Sequence, residues 1–387
     1  MNNKQKFPLR TGLGAVALAV SSMSAHAGPS FQVGEQGYME LNYALQVWAQ
    51  NRGYTSDNDD GDVSDTFLRR NRITLNGQYN DYVGFYAQLE AGNDSKGGND
   101  DRAVFYRDAY LTLDYRDELR FILGRYKNTF SRENLEACLE PLTLDRGESL
   151  PFTPFGASRD TGFAVWGNLA DAMLQYRIAV NDGREADEVV KDSPRITGRV
   201  HVSLLDPEYS YGYRGTYLGT QSVLTIGAAV DMQNDVAYDD YSAREGSKDY
   251  SATTYDIFYE QPFSFGTITA SAAAFEYTLD GYPVDPDPSL TTWTEREGYY
   301  AKVGYLLPDP VGIGRLQVFA RTEEVEYGED TGLSDRSLNS FGAHYYINGQ
   351  SLKISLEHAS TKFDEQDSDN ASLQDYDQTT LGLQMIF

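Results

Sequence analysis

The chain has 387 residues, a formal net charge of −26 at pH 7 and 13% aromatic residues, including 29 tyrosines. This length suits either two ordinary domains or one large barrel. The strongly negative charge argues against a nucleic-acid-binding protein, which needs a basic face. Beyond the first residues, no apolar run approaches the roughly 20 residues of a membrane helix. The composition therefore excludes a helical membrane protein, although it permits a protein that spans with strands.

The sequence offers no pattern for a metal or a cofactor. Cys138 is the only cysteine, and thiolate metal sites need several ligands. The acidic segment 57–62 departs from calcium-loop spacing, because Gly61 occupies the fifth position and no glutamate follows at the twelfth. We therefore predict no metal site and no cofactor.

Residues 1–27 have the features of a secretory signal peptide. Three basic residues precede a short apolar segment at 13–20, and Ala25-His26-Ala27 forms a small-residue cleavage site. We expect the mature protein to begin near Gly28 and to lie outside the cytoplasm. Residues 28–387 are then predicted to form a single domain.

From Tyr38 onward, the chain consists of segments in which apolar and polar residues alternate. This period of 2 is typical of β-strands with one apolar and one polar face. The clearest region, residues 66–130, contains four such segments separated by turns. The sixteen predicted strands begin near Tyr38, Thr66, Val83, Ala103, Leu119, Thr161, Met173, Arg195, Leu224, Thr253, Thr267, Gly298, Arg315, Ser340, Leu352 and Gln374.

The connections between the predicted strands alternate in length. Odd-numbered connections are long and acidic, whereas most even-numbered ones are tight turns, with residues 206–222 as the exception. This asymmetry is typical of antiparallel strands that cross a membrane as a closed barrel. A soluble sandwich or propeller provides no reason for it. We therefore predict an all-β, transmembrane antiparallel β-barrel of about 16 strands.

If the apolar face of each strand contacts lipid, the polar face lines the lumen. The second predicted strand then directs Arg70 and Arg72 inward, the seventh Arg177, and the eighth Arg195 and Arg199. Basic side chains in a pore favour anions, so we predict that this basic stripe contacts the solute. In the alternative interpretation, each arginine pairs with a carboxylate of the wall, because a buried charge needs a partner.

The connection at 128–159, after the fifth predicted strand, is too long to be a simple connector. Ser131 is placed to cap a short helix that ends before Pro141. A folded loop at this position can enter the barrel and narrow it. Lys127 and Arg132 would then lie at the constriction.

The segments FLRRNRITLNGQYNDYVGFYAQLEAG and RDAYLTLDYRDELRFILGRYKNTFSREN resemble the phosphate-selective porin O/P family. The shared features are an arginine-bearing second strand, a strand with Asp-Ala-Tyr, and a Gly-x-Phe/Tyr-Lys-x-x-Phe-Ser segment before the constriction loop. The resemblance implies a sixteen-strand homotrimer that passes anions such as phosphate or polyphosphate. By motif, it implies pore roles for Arg70, Arg72, Lys127 and Arg132.

These patterns together predict a porin in the outer membrane of a Gram-negative bacterium, through which small hydrophilic solutes, preferentially anions, diffuse passively. The expected partners are outer-membrane lipid, lipopolysaccharide bridged to the acidic loops by divalent cations, and small anions such as phosphate. A non-conducting barrel that anchors another protein is the main alternative. A barrel hydrolase is least favoured, because no G-x-S-x-G motif accompanies His201, His344 or His358.

Overall fold

The structure, a computed structural model, describes residues 28–54, 63–91, 104–147, 158–185, 189–281, 283–285, 295–328, 333–365 and 374–387. Within these residues the chain forms seventeen strands and one short helix, α1, at Arg132–Leu135. The strands are β1 Ser30–Val33, β2 Gly37–Tyr54, β3 Val63–Gln78, β4 Val83–Ala91, β5 Val104–Arg116, β6 Leu119–Lys127, β7 Arg159–Leu169, β8 Leu174–Asn181, β9 Arg195–Ser203, β10 Val223–Ala237, β11 Lys248–Phe263, β12 Gly266–Thr278, β13 Arg296–Leu306, β14 Arg315–Tyr327, β15 Arg336–Asn348, β16 Leu352–Phe363 and β17 Tyr376–Ile386.

Sixteen of these strands form a closed antiparallel barrel. Each strand from β2 to β16 pairs with its successor, and β17 returns to β2 from Ile386↔Ala44 to Tyr376↔Tyr54. Closure pairs the two edges that an open sheet would expose. The predicted fold class, including the strand number, is confirmed.

The additional strand, β1, does not follow from the sequence pattern. It pairs with the start of β2, from Ser30↔Glu40 to Val33↔Gly37. It lies on the same side of β2 as β17, whose strand pairing with β2 ends at Ala44. A strand of four residues is too short for an alternating pattern to be recognised.

The alternation of polar and apolar residues matches the two faces of the barrel wall. In β9, Arg195, Arg199 and His201 are at most 2% exposed, whereas Ile196 and Val200 are 43% and 49% exposed. Successive side chains of a strand point to opposite faces. Polar side chains of β9 therefore lie in the lumen and apolar ones on the outer wall, as predicted.

Two segments fold into the lumen. The first is residues 128–147 after β6, called the constriction loop below. The second is residues 204–222 between β9 and β10, called the inward turn, which contains the connection whose length the sequence left unexplained. Both enter from opposite ends of the barrel, because the connections after β6 and β9 lie at opposite ends of antiparallel strands.

Apolar side chains of these segments pack against the inner wall. Phe130 of the constriction loop is fully buried in a cluster contributed largely by β10–β14. Leu144 of the same loop packs with Trp48 of β2 and Phe319 of β14. On the side of β6–β8, Tyr213 of the inward turn joins a third buried cluster. The lumen is therefore narrower than the strand number alone indicates.

Helix α1 begins as predicted but ends early. Ser131 Oγ accepts a hydrogen bond from the Asn134 backbone N–H at 3.0 Å, as an N-cap does. The helix stops at Leu135 instead of continuing toward Pro141. The next residue forms a parallel β-bridge to Tyr213 of the inward turn. A contact with a distant segment therefore ends the helix.

Among the described residues, no helix is long and apolar enough to cross a membrane. The predicted signal peptide, residues 1–27, lies outside the described residues, as do residues 57–62 and 148–157. The described part of the chain is the barrel with many of its turns, together with the constriction loop inside it.

Candidate functional site in the barrel lumen

A cavity remains in the lumen between the constriction loop and the wall formed by β3–β7. The volume of this cavity that water can occupy is about 90 Å³. That space holds several water molecules, since one needs roughly 10–15 Å³. The charged residues that line it are Arg72, Asp108, Lys127, Glu140 and Arg159. Neighbouring strands therefore bring basic side chains from distant positions in the sequence to one cavity.

Arg72 shares a carboxylate with a second arginine. Its Nε donates to Glu90 Oε1 at 2.8 Å, and Arg107 donates to the other oxygen of Glu90. Glu90 is fully buried, and one carboxylate cannot neutralise two guanidinium groups. This group of three residues therefore leaves one positive charge at the cavity.

Lys127, the last residue of β6, is a second basic residue that no carboxylate neutralises by itself. Its Nζ donates to the backbone carbonyls of Leu135 and Glu136 in the constriction loop. It forms no ion pair with a carboxylate in the described part of the chain. These two hydrogen bonds fix the position of the amino group. Lys127 therefore joins the wall to the constriction loop.

Arg159 and Glu140 are each neutralised by a partner. Arg159 forms a bidentate pair with Asp108, in which Nε and Nη2 each lie 3.1 Å from a carboxylate oxygen. Glu140 Oε2 lies 3.1 Å from Nε of Arg214 in the inward turn. Neither pair changes the net charge of the cavity.

Basic side chains outnumber carboxylates by two at the cavity, because four basic groups face two carboxylates. These groups belong to Arg72, Arg107, Lys127, Arg159, Glu90 and Asp108. Cys138 also lines the cavity and is buried. Burial raises the pKa of its thiol, but Arg146 and Lys127 outweigh burial and hold that pKa well below its usual range. The basic side chains still outnumber the acidic groups by one when this thiol is counted with the carboxylates.

Two predicted pore residues, Arg70 and Arg132, lie against the inward-folded segments and not among the cavity-lining residues. Arg70 Nη2 donates to Asp145 of the constriction loop at 2.7 Å. Arg132 forms a bidentate pair with Glu208 of the inward turn, with both contacts at 2.8 Å. Burial raises the pKa of Glu208, but Arg132 outweighs burial and lowers it below its ordinary value. Both arginines hold the inward segments in place.

The other three predicted pore residues lie on β8 and β9, behind the inward turn. Arg195 Nε lies 3.0 Å from Asp231 Oδ1, and Arg199 Nη1 lies 2.6 Å from Asp256 Oδ2. Arg177 donates to a hydroxyl and a carbonyl of the inward turn. All three are at most 2% exposed. Pairing with wall carboxylates thus describes two of them. Of the predicted basic stripe, Arg72 lines the cavity and the other four arginines do not.

Sequence reasoning missed Arg107 and Arg159. Strict alternation places Arg107 on the outer wall, because its neighbour Asp108 faces inward. A β-bulge in β5 skips Arg107 in the pairing with β4 and lets it reach Glu90. Arg159 was assigned to the long connection, although it begins β7. A β-bulge has no distinctive sequence pattern, so the alternation of polar and apolar residues does not predict that Arg107 faces inward.

A closed sixteen-strand barrel with an apolar outer wall, a polar lumen and an inward-folded loop defines an outer-membrane porin. The chain belongs to the family of phosphate-selective porins O and P, whose family model matches residues 41–387. The resemblance found in the sequence is therefore confirmed, and the chain is a porin of the outer membrane.

Solved porin structures share this fold. The outer membrane channel DcaP of Acinetobacter baumannii has a TM-score of 0.57 and 15% identity, covering 94% of this chain and 100% of its own. An anion-selective porin from Comamonas acidovorans has a TM-score of 0.57 and 11% identity, covering 91% and 100%. OmpT of Vibrio cholerae, in its trimer form, has a TM-score of 0.55 and 9% identity, covering 91% and 100%. Identities this low support the fold alone.

Proposed function

We propose that this porin passes small anions in preference to cations, by way of the cavity between the constriction loop and β3–β7. The main support is the excess of basic side chains over carboxylates around that narrow space. Fixed positive charge in a pore attracts anions and repels cations. The family to which the chain belongs points to phosphate or a similar oxyanion as the solute.

Arg72 and Lys127 are the predicted residues that we assign to contact with the solute. Both line the cavity, and both contribute charge that no carboxylate fully cancels. The remaining predicted residues serve chiefly to position the wall and the inward segments. These are Arg70, Arg132, Arg177, Arg195 and Arg199.

We propose passive passage without catalysis. The nearest approach to a nucleophile and base is Ser355 with His344, whose Oγ and Nδ1 lie 2.7 Å apart. Both side chains are buried, and His344 Nε2 lies 3.2 Å from the Leu142 carbonyl of the constriction loop. A catalytic pair must reach its substrate. This arrangement is better suited to anchoring the loop.

We also propose that the protein is exported by its signal peptide, assembles as a homotrimer and contacts lipopolysaccharide through its acidic loops. Trimer formation is supported by the trimer form of a structural relative. Contact with lipopolysaccharide is supported by the acidic composition of the long connections, since divalent cations bridge carboxylates and phosphates.

The anion preference is tested by planar-bilayer recording with a double variant, Arg72→Ala/Lys127→Ala. Arg107 continues to neutralise Glu90 in this variant, so no buried carboxylate is left unpaired. Removing one charge about 6 Å from the path changes the permeation of each monovalent ion about threefold in a water-like medium, in opposite directions for anions and cations. The permeability ratio then changes about tenfold for each charge removed. We therefore expect a clear shift of the reversal potential toward cation preference in a salt gradient.

The matched control is Arg116→Ala, which removes an exposed arginine at the end of β5, far from the cavity lining. Its reversal potential should equal that of the unaltered protein. An equal reversal potential in the double variant would contradict the proposed role of Arg72 and Lys127. Absence of any conductance would instead favour a structural barrel, and ester hydrolysis abolished by His344→Ala would favour an enzyme.

A further inference from the structure

The lumen cavity is lined by aromatic and aliphatic carbon as well as by cations. The residues that contribute this carbon are Tyr86, Tyr110, Tyr126, Tyr211, Leu135 and Leu139. A hydrated inorganic anion gains little from such a surface, because it must lose water to touch it. Ligand cavities with an apolar lining and a few polar groups suit molecules that combine both characters.

Two of the tyrosines form a paired aromatic surface. Tyr86 of β4 lies directly opposite Tyr110 of β5 in the strand register. Their ring centroids are 5.1 Å apart and their planes differ by 12°. Tyr126 and Tyr211 meet edge to face, with centroids 6.4 Å apart. Aromatic rings associate favourably in both arrangements, so the cavity presents rings with which another ring can associate.

The protein itself holds two of the tyrosine hydroxyls. Tyr126 donates to Asn181 Oδ1 at 2.5 Å, and Tyr211 donates to the Lys127 backbone carbonyl at 3.2 Å. These bonds fix both rings and occupy the proton of each hydroxyl. What Tyr126 and Tyr211 offer to a solute is therefore mainly ring carbon.

We propose that the cavity binds aromatic carboxylates, with the carboxylate at Arg72 and Lys127 and the ring against Tyr86 and Tyr110. The inference rests on the proposed anion preference and names a class of solute within it. The two requirements of such a solute, a cationic partner and an aromatic surface, are met by residues of one cavity. Charge-assisted hydrogen bonds orient the carboxylate, and ring contacts add discrimination.

The test compares benzoate with cyclohexanecarboxylate as blockers of single-channel chloride current through the full-length protein. Both carry one carboxylate on a six-membered carbon ring, but only benzoate is aromatic. Aromatic contacts of the usual strength correspond to about a twofold to tenfold difference in affinity. We expect half-block by benzoate at a concentration lower by about that factor.

Two substitutions at one position separate the ring from the hydroxyl. Tyr110→Phe keeps the aromatic surface and should keep the preference for benzoate. Tyr110→Leu removes one of the two paired rings and should reduce the difference between the two blocking concentrations. The control is Tyr115→Leu, which alters an exposed tyrosine of the same strand on its outward face and should keep the preference.

Equal block of the unaltered protein by the two carboxylates would overturn the inference, and so would a preference that is undiminished in Tyr110→Leu. Neither result affects the anion preference, which the reversal potential in chloride measures separately. A cation-selective reversal potential would instead overturn the proposed function, whatever the blockers do. Block by inorganic phosphate but by neither carboxylate would also overturn the aromatic-carboxylate inference.

Discussion

Arginines in the lumen of this barrel fall into two groups. Some pair with a carboxylate of their own, whereas Arg72 shares one with a second arginine. Arg195 and Arg199 of β9 are both buried. Arg195 pairs with Asp231 of the neighbouring strand β10, and Arg199 pairs with Asp256 of β11, one strand further on. A buried charge that keeps its partner is tolerated, whereas one that loses its partner destabilises the fold strongly. Arg72 differs, because it shares its carboxylate with a second arginine. Arg72 therefore has only a share of one carboxylate, unlike Arg195 and Arg199.

Glu136 of the constriction loop is a buried carboxylate for which the structure shows no hydrogen bond among the described residues. Neither carboxylate oxygen accepts a hydrogen bond, and the nearest cations are Arg132 Nε at 3.6 Å and Lys302 Nζ at 4.0 Å. Burial, followed by the charge of Glu133, raises the pKa of Glu136 to about 7. The charged and titratable groups around it are Arg132, Glu133, Glu208, Tyr300 and Lys302.

This raised pKa predicts that docking of the constriction loop weakens as the pH rises. A carboxyl group with a raised pKa in the folded state stabilises that state fully below its ordinary pKa of 4.5. The stabilisation is lost as the pH rises through about 7 and amounts to about 3 kcal/mol. Hydrogen exchange of residues 128–147, corrected for the intrinsic pH dependence, should therefore be faster at pH 8 than at pH 5.

The matched variant is Glu136→Gln, which keeps the size of the side chain but cannot ionise. Its exchange should show no such difference between pH 5 and pH 8. If the variant and the unaltered protein show the same dependence on pH, Glu136 is not the titrating group.

The constriction loop and the inward turn depend on each other for their positions. The Ala137 N–H donates to the Tyr213 carbonyl at 2.9 Å, and the Gly215 N–H donates to the Glu140 carbonyl at 3.0 Å. Backbone thus meets backbone in the middle of the lumen, which requires small residues at the closest approach. A Cβ added at Gly215 would lie 2.5 Å from the Leu142 backbone nitrogen. This glycine sets how closely the two elements approach.

Gly215→Ala is therefore expected to push the two inward segments apart and to raise the single-channel conductance. Backbone atoms cannot swing aside as a flexible side chain does, so the loop itself must shift. Gly198→Ala in β9 is the control, because the nearest atom to its added Cβ is 3.7 Å away. Bilayer recordings of the two variants give the comparison. Equal conductance in both would show that this contact does not limit the path.

Because the sheet of the whole molecule is closed, copies of the chain can associate only through the outward-facing side chains of the barrel wall. Because β17 pairs with β2, neither strand offers a free edge to another copy along their paired length. We expect three copies to associate through their walls, each with its own cavity. Recordings of the purified protein should show current closing in three equal steps, and its mass in detergent should be three times that of one chain. A single closing step with the mass of one chain would contradict the trimer.

The barrel itself was largely predictable from the sequence, since alternation at period 2 is a local property of each strand. Ile196 and Arg199 fall on opposite faces for the same reason in the sequence and in the structure. The long loop after β6 and the Ser131 cap were also predictable, because connection length and capping are local features. The bulge at Arg107 was not, since it changes the face of one residue without a distinctive composition.

The sequence by itself determined an outer-membrane barrel with basic residues on its inner face. The tertiary structure decided which of those residues keep an effective charge. Ion pairs such as Arg195–Asp231 join neighbouring strands of the wall, and Arg132–Glu208 joins two segments that enter from opposite ends. Such pairs depend on register and on close approach of distant segments, neither of which is encoded by the pattern of a single strand. Arg72 and Lys127 stand out only once those pairings are known.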